Sequence, residues 1–369
     1  MPGFAVRTAT VITLAMLATS ASAETFTYGS GVPDRSSANR AGVLPLLEKI
    51  TQATDGAVSF TTILGGQLVS LPGALQGLAD GIVASSYMVT QFYPAELPAG
   101  SLMGEVTGLG TDPYATMGAL NEAFFVTCDQ CREDFRKVGI VPVLMQSATP
   151  LTMQCTTAVE STEDLKGLRV LTIGRPEMRW AESIGMTPVK TSITDILSGL
   201  QLGQADCTLI GTAWIRSYGL EDTIKSVIEM PQGILAGAVP LAFGAAPWAS
   251  ISEENRQAIL KLMPRTLWDY VTGAYVDADT AVKEAVSGKI AFSPGDDALK
   301  QAWADFHAGE AAALKELAAS RGVEDPDALI DGIVEVFRVW HEDLLPQFQG
   351  DPDKFAEIAW ERIFSRYDF

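Results

Sequence analysis

At 369 residues the chain exceeds one ordinary domain and points to two, at roughly 100–200 residues each. Hydrophobic residues make up 47% and charged residues 19%, a globular composition rather than a disordered one. Lys and Arg number 26 against 45 Asp and Glu, for a formal charge of −19, which excludes phosphate backbones and disfavours anionic membrane surfaces. Two histidines, His307 and His341, leave little for a histidine-based metal site or a Ser-His-Asp triad.

The N-terminus reads as a secretory signal peptide over residues 1–23. Arg7 supplies the positive end, residues 9–17 the apolar stretch, and Ala21-Ser22-Ala23 the cleavage signature. A mature chain starting at Glu24 is expected in the periplasm. A strand is expected at 26–29, then a loop rich in Gly, Pro and Ser at 31–37. A helix over 38–54 puts Val43, Leu46, Leu47 and Ile50 on one face. Residues 57–63 alternate like a strand, and a helix at 72–79 and a strand at 82–85 follow the Gly65-Gly66 loop. Strands separated by helices argue for βαβ units and an α/β fold.

The same alternation returns after Pro142. Strands are expected at 143–146, 151–156, 168–173 and 207–210, with helices at 176–184 and 194–201. Two similar α/β lobes result, with the chain crossing between them near 147–156. The organisation read here is a first lobe over 24–148, to which later segments return, a second over 149–250, and a helical region over 251–369. The longest apolar run after the leader, 234–243, contains Gly237 and Pro240 and is too short to cross a membrane. From Ser252 the pattern is helical, with a long stretch over 253–286 and later helices at 298–320, 326–348 and 352–364. Trp268, Trp303, Trp340 and Trp360 fall at core spacing in this region.

The four cysteines, Cys128, Cys131, Cys155 and Cys207, read as disulfides in an oxidising compartment, with three connectivities open. Cys128-Asp129-Gln130-Cys131 has the spacing of a redox site, but it follows an expected helix (115–126) rather than a strand. Structural bridges or inert thiols are the preferred reading, and an exported CxxC thiol oxidoreductase is a distant alternative. Nothing supplies the remaining ligands for zinc.

Several motifs then arrive in a characteristic order. They are Gly65-Gly66-Gln67-Leu68, Leu78-Ala79-Asp80-Gly81 and Phe92-Tyr93-Pro94. After these come Glu163-Asp164-Leu165-Lys166-Gly167-Leu168-Arg169-Val170, Gly185-Met186-Thr187-Pro188-Val189 and Leu200-Gln201-Leu202-Gly203-Gln204-Ala205-Asp206. The series resembles the periplasmic solute-binding proteins of TRAP transporters, the DctP-like family. An ABC importer's binding protein shares the two-lobe logic but not this series. The resemblance implies a two-lobe periplasmic-binding-protein fold of α/β class, with crossing strands, a long bracing helix and a helical C-terminus. It implies a small organic ligand in the interlobe cleft and, as partners, a large and a small integral-membrane subunit. It also implies a monomer with no cofactor, no metal and no catalytic residue.

The chain departs from the family where ligands are held. Most members grip a carboxylate with an arginine on the strand after Asp-Leu-Lys-Gly, because a guanidinium fork fixes charge and orientation together. That position here is Leu171. A second family arginine falls at Leu151 or Thr152. The polar position ending a first-lobe strand falls at Ser85, Ser86 or Tyr87, and a frequent asparagine aligns with Ile210, beside Thr208 and Gly211. Two readings follow. The ligand is neutral, aromatic or cationic and is held by Tyr87, Trp214 and Tyr218. Alternatively a relocated arginine, Arg175 or Arg179, grips a carboxylate from beyond the strand end, where Arg169 lies too far back.

Overall fold

The structure, a computed structural model, describes residues 24–367; the leader read at 1–23 lies outside the described residues. Eleven strands form along the described chain: β1 (Glu24–Gly29), β2 (Val58–Ile63), β3 (Ser85–Val89), β4 (Ile140–Pro150), β5 (Thr152–Cys155), β6 (Arg169–Thr172), β7 (Thr187–Lys190), β8 (Cys207–Ile210), β9 (Ser226–Ile228), β10 (Ile234–Gly244) and β11 (Ala291–Ser293). They assort into two sheets, ordered β2-β1-β3-β10-β4 and β11-β9-β5-β8-β6-β7. Within each, the strands joined through helices run parallel, as βαβ crossovers require. The crossing strands run antiparallel to their neighbours: β10 against β3 and β4, and β5 against β8 and β9.

The chain changes sheet at β4/β5, at β9/β10 and again at β10/β11, and the first two crossings are tied together. The Leu151 amide donates to the Gly233 carbonyl at 2.8 Å, and the Gln232 amide donates to the Leu151 carbonyl at 3.0 Å. Gly233 sits at φ +86, and a side chain there would come 2.6 Å from the Thr107 carbonyl oxygen. The position therefore demands glycine on two counts. The apolar run around 234–243 becomes β10, paired on both edges and buried along nearly its whole length. That burial explains its hydrophobicity without a membrane. Among the described residues no helix is long and apolar enough to cross one.

The helix Glu253–Val271 continues through a π-helical turn, Thr272–Val276, into Asp277–Val286. It packs along β4 and the helix Leu44–Ala53 of the first lobe. Its far end reaches the second lobe, where the Ala213 amide donates to Asp279 Oδ1. It therefore braces both. The C-terminal helices close the back of the first lobe. Trp340 is fully buried and donates Nε1 to Glu122 Oε2 at 2.7 Å, while Arg362 grips the same carboxylate with two bonds of 2.6 Å. A charge-assisted fork inside the core compensates the cost of burying Glu122.

Candidate functional site

The cleft opens where the C-terminal ends of β1, β3, β6 and β8 converge, the usual ligand position in α/β sheets. Its walls come from both lobes and from the bracing helix. The first lobe contributes Tyr87 and Val89 from β3 and Gln91 and Phe92 just beyond it, and the crossing strands contribute Gln146, Ala236 and Ala238. The second lobe contributes Ile173, Ile193, Trp214 and Tyr218, and the bracing helix contributes Tyr275. The enclosed space is about 60 Å³. Among the described residues no charged side chain lines it.

The floor is a hydrogen-bonded cluster of phenols around one amide. Gln146 Oε1 accepts from the Tyr87 hydroxyl at 2.9 Å and from the Tyr270 hydroxyl at 2.8 Å, and its Nε2 donates to the Tyr275 hydroxyl. Burial pushes the Tyr87, Tyr275 and Tyr218 phenols well above their ordinary range, so they stay neutral. Gln91 Nε2 is held by the Gly104 carbonyl, which leaves its amide oxygen as a polar point in an otherwise apolar wall. Trp214 and Tyr218 meet edge to face, with ring centroids 6.3 Å apart. Their helix is held at its start by Asp279, whose carboxyl burial raises to about 6.

Of the residues expected from sequence, Tyr87, Trp214 and Tyr218 lie in this wall. The structure places the others elsewhere. Ser85 and Ser86 are fully buried in β3, and Ser86 Oγ donates to the Gly29 carbonyl at 2.9 Å. Leu151 is the sheet-crossing residue, buried in the second lobe's own core. Leu171 is buried and faces Gly199; the residue that reaches the cleft is Ile173, just past the end of β6. Thr208 is buried beside the Leu171 carbonyl, and the Ile210 carbonyl accepts from Thr152 Oγ1 and Gln154 Nε2, each at 3.1 Å.

Among the arginines, Arg169 is paired with Asp206 at 3.0 Å and Arg179 with Glu310 at 2.6 Å. Arg175 is exposed at the start of the helix Arg175–Ser183. None of them lines the cleft. A different arginine stands beside it. Arg35, in the loop after β1, donates Nε across the lobes to the Ser217 carbonyl at 2.8 Å. Its guanidinium lies over Gly219, whose missing side chain would sit 3.0 Å from Nη2, and its charge acts on the Tyr218 hydroxyl.

The cysteines pair as Cys128–Cys131 and Cys155–Cys207, the second across adjacent strands β5 and β8. All four side chains are buried, which denies an attacking thiolate the access that exchange needs. Among the described residues no group of His, Cys, Asp and Glu could hold a metal.

Residues 29–307 match the model of the bacterial extracellular solute-binding proteins, family 7. The chain belongs to that family. It is a TRAP-type solute-binding protein of the DctP kind and not an enzyme. No curated protein matches it. Among solved structures it is similar to a TRAP periplasmic solute-binding protein from Bordetella bronchiseptica with bound mandelate, at 19% identity and TM-score 0.70, covering 85% of this chain and 99% of that one. A marine metagenome TRAP protein specific for aromatic acids, in complex with meta-hydroxyphenylacetate, is similar at 16% identity and TM-score 0.75, with coverage of 86% and 99%. A Rhodoferax ferrireducens protein with copurified benzoate is similar at 16% identity and TM-score 0.73, with the same coverage. At identities this low, the likeness shows the shared fold alone.

Proposed function

We propose that this solute-binding protein works in the periplasm, captures a small single-ring organic ligand between its lobes, and delivers it to TRAP-type membrane subunits. One observation carries the reading: the cleft is walled by Tyr87, Phe92, Trp214, Tyr218 and Tyr275 and by no charged side chain among the described residues. Aromatic walls bury a flat ring on both faces, while the Gln91 amide and the tyrosine hydroxyls offer neutral hydrogen bonds at its edge. A bare carboxylate in such a wall would lose its water without gaining a cationic partner. The enclosed 60 Å³ is less than the cavity of about 150 Å³ that holds a benzene ring. The ring therefore enters with the lobes parted, and closure around it supplies the differential affinity.

A second reading has its own support. Arg35 lies against Tyr218 at the lobe seam, so an aromatic acid could place its ring in the wall and its carboxylate outward against that guanidinium. The solved relatives that bind mandelate, meta-hydroxyphenylacetate and benzoate take ligands of this shape.

A thermal-shift screen separates the readings, using neutral ring alcohols and amides, aromatic amines, aromatic acids and aliphatic carboxylates. Ligand at about 100 times its dissociation constant adds about 2.7 kcal/mol. Hits confined to ring-bearing compounds are expected. Hits confined to aliphatic dicarboxylates would refute the aromatic-wall argument.

A further inference from the structure

Away from the cleft wall, three carboxylates are buried where the lobes and the C-terminal region meet. Glu105 precedes the first-lobe segment Val106–Leu109, Glu177 lies in the first turn of the second-lobe helix Arg175–Ser183, and Glu310 lies on the helix Asp297–Ser320. Their exposures are 3%, 2% and 1%. Two of them are neutralised in place. Arg321 pairs with Glu105 at 2.6 Å, and Arg179 holds Glu310 with bonds of 2.6 and 2.9 Å. Glu177 has no cation. Its Oε1 accepts a long 3.5 Å bond from Thr107 Oγ1 of the first lobe, its Oε2 is buried without a hydrogen-bond partner, and the backbone amides of Gly174 and Glu177 offset its burial only in part.

The remaining charged and titratable groups around it do not supply one. His307, on the same helix as Glu310, spends Nδ1 on the Gly108 carbonyl, and Arg175, on its own helix, is exposed. A methyl group built on Gly174 would meet both Glu177 Oε2, at 2.5 Å, and Gln91 Nε2, at 3.0 Å. The orphaned oxygen is therefore next to a residue of the ligand wall.

We propose that closing the lobes takes up one proton at Glu177, so that solute capture is coupled to proton binding. The proton comes from solvent, and the carboxylate becomes a neutral acid with no other bond made or broken. In the closed form a charged Glu177 would be dry, without a cation, and near Glu105. Those two causes, burial first, raise its carboxyl to about 7 from an ordinary 4.5. Parting the lobes lets water reach the carboxyl, which then returns toward its ordinary range. The sign follows from linkage. The closed form binds the proton more tightly, so closure is favoured as pH falls and weakens about tenfold per unit as pH rises from about 4.5 to about 7. Above that both forms are ionised and the dependence levels off. The inference rests on the two-lobe closure of the proposed function but not on which ligand is taken.

The test measures closure directly by pulsed electron spin resonance. Ile82→Cys and Leu202→Cys place spin labels on exposed positions of the two lobes, and the native cysteines are all held in disulfides. Ligand-free protein is measured from pH 5 to pH 8, with the panel compounds added in parallel. The closed population is expected to rise about tenfold per unit below pH 7. In Glu177→Gln the response should flatten, and in Glu177→Asp, which keeps a carboxyl, it should persist. A response unchanged in Glu177→Gln would overturn the assignment to Glu177 and move the proton to another carboxyl, such as the half-buried Asp279. A closed population that ignores pH but grows with ligand would overturn proton coupling alone. One fixed distance under every condition would overturn lobe closure as well.

Discussion

Replacing Gln146 with leucine tests whether the cleft floor is held by its amide. Gln146 lies on β4, the strand that carries the chain toward the second sheet, and three tyrosines from three elements converge on it: Tyr87 from β3, Tyr270 and Tyr275 from successive parts of the bracing helix. The substitution removes three buried hydrogen bonds at once, each worth roughly 1 kcal/mol net. Tyr87 and Tyr275 remain bonded to each other, and Tyr270 keeps a 3.4 Å contact with the Ala38 carbonyl, so the phenols are not all orphaned. Allowing for one hydroxyl left buried without a partner, the loss comes to about 3–5 kcal/mol, a large part of an ordinary domain's stability. Tyr87→Phe, which removes the bonds to Gln146 and Tyr275, should cost about 1–2 kcal/mol. Urea unfolding followed by tryptophan fluorescence measures both, and the same variants on the ligand panel report whether the wall survives. If Gln146→Leu unfolds at the wild-type midpoint, the amide is not what organises the floor.

Two shorter predictions come from other parts of the fold. Removing the Cys155–Cys207 bridge with paired alanines should cost about 4 kcal/mol, and removing Cys128–Cys131 about 2 kcal/mol, because sequence separations of 52 and 3 close very different loops. Equal losses in denaturant would show that loop entropy does not set their worth. Arg35→Ala removes the interlobe bond to the Ser217 carbonyl. Loss of one partly exposed hydrogen bond, at about 0.5–1.5 kcal/mol, should weaken binding of any panel hit about 2- to 10-fold while ligand-free melting stays within a degree or two. A melting loss as large as the affinity loss would make Arg35 a structural contact rather than a closure contact.

Local signals in the sequence are those that short-range physics settles. Ser161 with Asp164 reads as the start of a helical turn and forms a reciprocal capping box there. The periodic stretch over 253–286 becomes a continuous helical rod even with Pro264 inside it. Residues 147–156 mark the sheet change because two strand-like runs abut with only Leu151 between them. The strand β11 was not legible, since Ala291–Ser293 is three residues long and exists only by pairing with β9.

The site divides along the same line. Family motifs locate the ends of β3, β6 and β8, and β6 carries Leu171 and ends just before Ile173. Which of the two reaches the cleft depends on Gly199 and its helix packing against Leu171, a contact 28 residues away in sequence. Gln91, Gln146 and Tyr275 carry no pattern that separates them from core residues, and only the meeting of two lobes and the bracing helix makes them a wall. The fate of Arg179 and Glu177 was equally hidden. Both sit on one short helix, yet one finds Glu310 and the other finds no cation at all. Element types and the family were legible in the chain alone, because they follow from neighbours along it. Which side chains line the cleft and which buried charges are neutralised came only with the tertiary fold, because those depend on partners up to 240 residues apart, as in Glu122 and Arg362.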